Sequence, residues 1–136
     1  MDVISVDTTS RSEMIDVTAQ VRAAVKKSGV KSGACMLFVP HTTAGVTINE
    51  NADRDVTSDI LKELDRVIPE EDGYAHVEGN SAAHVKSSVV GCQMSVLVEK
   101  GELVLGTWQG IYFCEFDGPR SRKLYVKVVD TERVGC

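Results

Sequence analysis

The chain has 136 residues, with 15 Lys and Arg against 20 Asp and Glu, for a formal net charge of −5 at pH 7. A chain of this length fits one domain that buries roughly two thirds of the surface it exposes when unfolded. A hydrophobic content of 43% with 26% charged residues excludes a disordered chain, 11 Gly exclude collagen, and 4 Cys are too few for a disulfide framework. The acidic balance argues against general nucleic-acid binding, because a phosphate backbone repels it.

The first ten residues contain Asp2 and Asp7 and lack a basic start followed by an apolar run, so no export signal is read there. The longest apolar stretch, Ala34–Pro40, is far short of the roughly 20 residues that span a bilayer, which predicts no membrane insertion. Cys35, Cys92, Cys114 and Cys136 are widely spaced without a CxxC pair. That spacing fits reduced thiols in a cytoplasmic protein better than a metal knuckle.

Along the chain, Val3–Asp7 reads as a strand that Thr8–Ser10 can continue. Asp16 then offers an N-cap to a helix ending at Ser28, with Gly29 as its stop and Val17, Val21, Ala24 and Val25 on one face. Gly33–Val39 is an unbroken small and apolar run, read as a buried strand that Pro40 ends. Val46–Ile48 is a short strand, and Asp53–Val67 a helix with Val56, Ile60, Leu64 and Val67 at helical spacing. Ser81–Val90 reads as a shorter helix closed by Gly91. The pattern then turns to strands: Met94–Val98, Leu103–Leu105, Trp108–Phe116 and Leu124–Val129, the last two joined by a turn at Asp117–Arg120. About seven strands with two to three covering helices predict an α+β domain spanning residues 1–136, its sheets mainly antiparallel and packed as a β-sandwich.

Polar residues where folding alone does not require them mark candidate sites. His41–Gly45 follows a buried strand; its hydroxyls beside a glycine suit a backbone nest for an anion, or an ordinary turn. Asn49–Asp55 lies between a strand and a helix, where Asp53 is either a cap or a ligand and Glu50 has no structural reading. In the third segment Asn80, His84, Ser87 and Ser88 share one helical face, opposite Ala82, Val85 and Val89. His76 and His84 with Asp53, Glu50 or Glu78 are candidates for a mixed nitrogen–oxygen site for Mg or Zn, although the spacing is not a zinc signature. Trp108, between Gly106 and Gly110, offers a ring face to a planar ligand with Gln109 at its edge, or serves as a core or interface residue. Arg120 in the following turn is suited to grip a phosphate. All three His residues fall in two of these segments, which predicts one shared pocket.

Three long motifs, His41–Asp53, Glu78–Asn80 with Ala83–Lys86, and Gly106–Tyr112 with Glu115–Arg120, together resemble the YjbQ-like family over essentially the whole chain. Arg54 stands where Pro is expected in many relatives, a change affecting the start of a helix more than chemistry. The resemblance implies a homotrimer with pockets near subunit boundaries. It also implies a secondary thiamine-phosphate synthase activity, in which a hydroxymethylpyrimidine diphosphate is joined to a thiazole phosphate and diphosphate is released. For that reaction Lys86, Arg120, the Thr42/Thr43 loop and a divalent ion would receive the diphosphate. Trp108 and Glu50 would face the pyrimidine, His41 or His84 would move a proton, and Asn49, Asn80, Ser88 and Gln109 would contact substrate. Metal-assisted hydrolysis of a phosphate or amide, and a non-catalytic trimer that binds a small anion, are the alternatives.

Overall fold

The computed structural model describes residues 1–132, so the expectation for Cys136 lies outside the described residues. The elements run β1 (Asp2–Asp7), β2 (Glu13–Asp16), α1 (Thr18–Ser28), β3 (Gly33–Phe38), β4 (Ala44–Glu50), α2 (Arg54–Val67), α3 (Ser81–Val90), β5 (Gln93–Glu99), β6 (Glu102–Leu103), β7 (Gln109–Glu115) and β8 (Ser121–Asp130). Every strand pair is antiparallel, in a five-stranded sheet ordered β1-β8-β3-β5-β6 and a three-stranded sheet ordered β2-β7-β4. The α+β class read from the sequence is the observed one.

The two-residue period of each strand builds the layers. Cys35 and Leu37 of β3, Leu124 and Val126 of β8, and Ile111 and Phe113 of β7 meet in the core between the sheets. Each fully buried Leu, Ile or Phe there contributes about 1.5–3 kcal/mol. The alternate residues of β7, Tyr112 and Cys114, face the other way into a second cluster with Ala83, Leu61 and Leu64, which seats α2 and α3. Helix α1 lays Val21, Ala24 and Val25 on the main core, the stripe its spacing predicts.

Four details depart from the sequence reading. First, β2 was not foreseen: it pairs through Asp16 with β7, so α1 begins at Thr18 rather than after an Asp16 cap. The Asp16 carboxylate still accepts from the Thr18 amide at 2.9 Å and its hydroxyl at 2.5 Å, so it satisfies helix donors from outside the helix. Second, β3 is not buried on both faces. Met36 and Phe38 point outward with Val3, Leu97 and Val129, because nothing among the described residues covers the outer face of the larger sheet. Third, α3 buries Ala82, Ala83, Lys86 and Ser87 while Val85 and Val89 are exposed, so the expected opposition of a polar and an apolar face is rotated. Ser87 is drawn inward by donating to the Ala44 carbonyl at 2.7 Å. Fourth, β4 is longer than Val46–Ile48, running from Ala44 to Glu50. Among the described residues no helix is long and apolar enough to cross a membrane.

The topology gives the sandwich two unlike ends. The β1–β2, β3–β4 and β7–β8 connections all pass from one sheet to the other at the same end, because β1, β3 and β8 belong to the larger sheet and β2, β4 and β7 to the smaller. The β4–α2 and β6–β7 connections lie at the opposite end, where Glu50 pairs with Gln109. At roughly 3.3 Å per residue, the seven residues of β4 hold these ends about 20 Å apart.

Candidate functional site

Strand periodicity carries a charge into each sheet at the first end. Counting by twos from Ile111 and Phe113 brings Glu115 to the core-facing side, and counting back from Leu124 does the same for Arg122. Glu115 is fully buried and Arg122 nearly so. The Glu115 carboxylate accepts from Arg122 Nε and Thr8 Oγ1, each at 2.8 Å, from the amides of Phe116 and Asp117, each at 3.0 Å, and from Arg122 Nη2. Burial pushes its pKa up. The Arg122 guanidinium, the Asp117 amide and the Thr8 hydroxyl outweigh that and hold it below the ordinary range. Arg122 Nη2 also donates to Thr43 Oγ1 at 2.7 Å, so the pair ties the β3–β4 loop to both sheets. Thr8 Oγ1 accepts from the Arg120 amide at 2.8 Å, which fixes the β7–β8 turn to the end of β1.

Beside this network opens a cleft of about 740 Å³ whose lining includes Val39, Cys92, His41, Thr42, Thr43, Glu78, Asn80, His84, Asp117, Arg120 and Arg122. Asp117 Oδ2 accepts from Asn80 Nδ2 at 2.9 Å and from Arg120 Nη2 at 3.0 Å, joining the start of α3 to the turn. The Asp117 carbonyl accepts from Arg120 Nε at 2.7 Å, leaving the arginine's outer edge in the opening. Asn80 Oδ1 is buried and has no hydrogen-bond partner among the described residues. His41 Nε2 accepts from the Lys123 amide at 2.9 Å. Burial, and then the charge of Arg122, hold its pKa below the usual imidazole value. His84 meets His76 edge to face, ring centroids 5.4 Å apart, and His76 Nε2 lies 3.7 Å from Glu78 Oε2.

A family model described as UPF0047 protein YjbQ-like matches residues 2–131. This chain belongs to the UPF0047 (YjbQ-like) family. It is 56% identical over 127 residues to the UPF0047 protein YugU of Bacillus subtilis, covering 93% of this chain and 96% of that relative. It is 50% identical over 124 residues to a UPF0047 protein of Methanocaldococcus jannaschii, covering 91% and 90%. Among solved structures, an uncharacterised conserved YjbQ/UPF0047 protein of Clostridium acetobutylicum superposes with a TM-score of 0.94 at 54% identity, over 95% of this chain and 100% of that one. A YbjQ-like protein of unknown function from Sulfolobus solfataricus gives a TM-score of 0.92 at 36% identity, covering 95% of each chain.

In this UPF0047 chain the cleft gathers His41, Thr42, Thr43, Asn80, His84 and Arg120 from the residues the sequence singled out. Glu78, a candidate ligand, lines it too, but Glu50, Asn49, Trp108 and Gln109 do not, so one chain does not assemble the single pocket expected of all the motifs. Glu50, Asn49, Trp108 and Gln109 sit at the opposite end of the β4–β7 pair. There the Glu50 carbonyl accepts from Tyr112 Oη, Asn49 Oδ1 accepts from the Glu50 amide, and Gln109 Oε1 accepts from the Gly106 amide. Trp108 is 63% exposed and belongs to no core. Lys86 is not available to a diphosphate: it is 3% exposed and paired with Asp65, fastening α3 to α2. Ser88 is turned to solvent and donates to the His84 carbonyl.

The expected metal set also separates. Asp53 caps α2, accepting from the Asp55 amide at 2.9 Å, while His76 and His84 pack on each other. Among the described residues no three His, Cys, Asp or Glu side chains converge to hold an ion. Nor does Gly45 open an anion nest. It lies inside β4, where an added Cβ would stand 2.6 Å from the Gly91 carbonyl oxygen, so its role is close packing. The sequence reading missed Arg122 and Thr8, and it gave no site role to Glu115 and Asp117 although both lie in the Glu115–Arg120 motif. The signal was present in parity: an opposite pair of charges occupies core-facing positions at the ends of two apolar strands.

Proposed function

We propose that this UPF0047 chain is a thiamine-phosphate synthase-like transferase of low activity, binding phosphorylated substrates in the cleft and working as a cytoplasmic homotrimer. The observation that carries the reading is the mixture of groups in the cleft. Arg120, Arg122 and two Thr residues supply donors, while Glu78 and Asp117 supply carboxylates beside two imidazoles. Both arginines are paired to acids, Arg120 with Asp117 and Arg122 with Glu115. Recognition of an anion there depends on directed N–H and O–H groups rather than on total charge.

Such a cleft suits a reaction that separates charge. In the coupling reaction the C–O bond from the pyrimidine methylene to diphosphate breaks, and diphosphate leaves with the electron pair. The thiazole nitrogen supplies the pair that forms the new C–N bond and becomes a thiazolium. The arginines and hydroxyls stabilise the growing negative charge, and Glu78 and Asp117 the cationic pyrimidine fragment. In this reading His84, which lines the cleft, holds or moves the proton of the pyrimidine amino group. Mixing both substrates with the wild-type chain is expected to release diphosphate and thiamine phosphate in equal amounts, read by mass spectrometry and a diphosphate assay. Diphosphate binding without turnover would replace this reading with the non-catalytic one, and phosphate release from the pyrimidine diphosphate alone would favour a hydrolase.

The trimer is supported by the outer face of the larger sheet, where Val3, Met36, Phe38, Leu97 and Val129 are exposed together. A closed ring buries such a face without leaving open edges. A solution mass of three chains by light scattering is expected, and a monomer at micromolar concentration would contradict it. The cytoplasmic placement is supported by Cys35, Cys92 and Cys114, all free thiols.

A further inference from the structure

We infer that His41 acts in this cleft as a fixed hydrogen-bond donor, its Nδ1–H and the Nη1 group of Arg122 together seating an anionic oxygen of the substrate. The inference rests on the phosphoryl reading and assigns different work to two histidines that the sequence treats alike.

The geometry of β8 sets the tautomer. Strand β3 ends at Phe38, opposite Tyr125, and Pro40 turns the chain toward β4. The Lys123 amide therefore lies beyond the last β3 partner, and the His41 ring takes the place of a strand carbonyl at 2.9 Å. A backbone amide has only a proton to give, so Nε2 must carry a lone pair. The proton of the neutral ring then resides on Nδ1. Nδ1 has no protein partner among the described residues, and His41 lines the cleft. Partial burial, and then the charge of Arg122, oppose a second proton. In this state the free nitrogen of the ring donates and cannot accept, so proton abstraction falls to His84.

Arg122 is held as firmly. Its Nε and Nη2 are committed to Glu115 and Thr43, while Nη1 has no hydrogen-bond partner among the described residues and Arg122 lines the cleft. The guanidinium reaches the cleft wall with two donors already oriented, so binding an anion there costs little side-chain ordering. His41 and Arg122 stand on adjoining elements held together by the Thr43 hydroxyl.

Titration of the full chain with inorganic diphosphate tests the assignment. His41→Asn keeps an amide N–H near the position of Nδ1 and is expected to bind within about threefold of wild type. His41→Ala, which has no donor, is expected to bind about tenfold or more weakly. Nitrogen-15 NMR of the wild-type histidines at neutral pH is expected to show His41 as the Nδ1-protonated tautomer, its Nδ1 resonance moving on diphosphate addition. An Nε2-protonated or charged His41 ring overturns the inference, even if the variants fail to fold. Unchanged affinity in His41→Ala overturns it while leaving the phosphoryl reading intact. A wild-type chain that binds no diphosphate overturns both.

Discussion

Replacing Glu115 by Ala is expected to lower the free energy of unfolding by about 3–5 kcal/mol, the cost typical of removing one partner from a buried pair. Glu115 is fully buried and accepts from Arg122, Thr8 and the amides of Phe116 and Asp117. The variant takes the carboxylate from a nearly buried guanidinium and leaves the Asp117 amide without its acceptor, while the Phe116 amide keeps the Thr43 carbonyl. Against a typical total of about 5–15 kcal/mol, that is a large fraction of the fold's stability. Denaturant unfolding followed by circular dichroism measures it. Replacing both partners, Glu115→Leu with Arg122→Met, is expected to recover much of the loss, since the stranded charge disappears. A single variant as stable as wild type would show that the pair contributes little.

The same carboxylate gives a pH signature with a definite sign. Its folded pKa lies below the unfolded value of about 4.3, so its stabilisation is complete above that value and is lost as pH falls through the folded one. Wild-type stability is expected to drop below about pH 4, and the double variant to drop less.

His84→Ala is expected to reduce coupling by about 100-fold or more while leaving diphosphate affinity within about threefold of wild type. His84 lines the cleft, and its ring makes no hydrogen bond to the protein among the described residues, standing nearly perpendicular to the ring of His76. It is therefore the imidazole whose nitrogens remain available to substrate, whereas His41 has committed Nε2 to Lys123. Diphosphate release and calorimetric titration on the same preparation separate the two effects. A variant that couples at the wild-type rate removes His84 from the chemistry.

Much of the fold was legible because its periods are regular. The α1 stripe of Val21, Ala24 and Val25, the Asp53 cap and the alternation in β8 each express local geometry in local sequence. β2 was obscured because Glu13–Asp16 is short, half-exposed and without a strongly apolar side. β3 looked buried on both faces because Met36 and Phe38 are apolar although they point outward. The rotation of α3 was hidden in Lys86, a residue that sequence reasoning assigns to solvent until Asp65 is seen beside it.

The site was half legible for a related reason. Residues close in sequence along β4 are distant in space, so His41–Thr43 and Asn49–Glu50 occupy opposite ends of one strand. Arg122 and Glu115 become visible only once their strands are placed face to face. Motif membership finds polar residues of interest, but it does not say which of them share a cavity.

The central claim is that the cleft between the β3–β4 loop, the β7–β8 turn and α3 receives the phosphoryl part of the substrate. A crystal structure of the chain with bound diphosphate tests it most directly. The account predicts diphosphate density touching Thr42, Arg120, Arg122 and the Nδ1 side of His41. Diphosphate bound at saturating concentration only at the Glu50–Trp108 end, or nowhere on the chain, would contradict it.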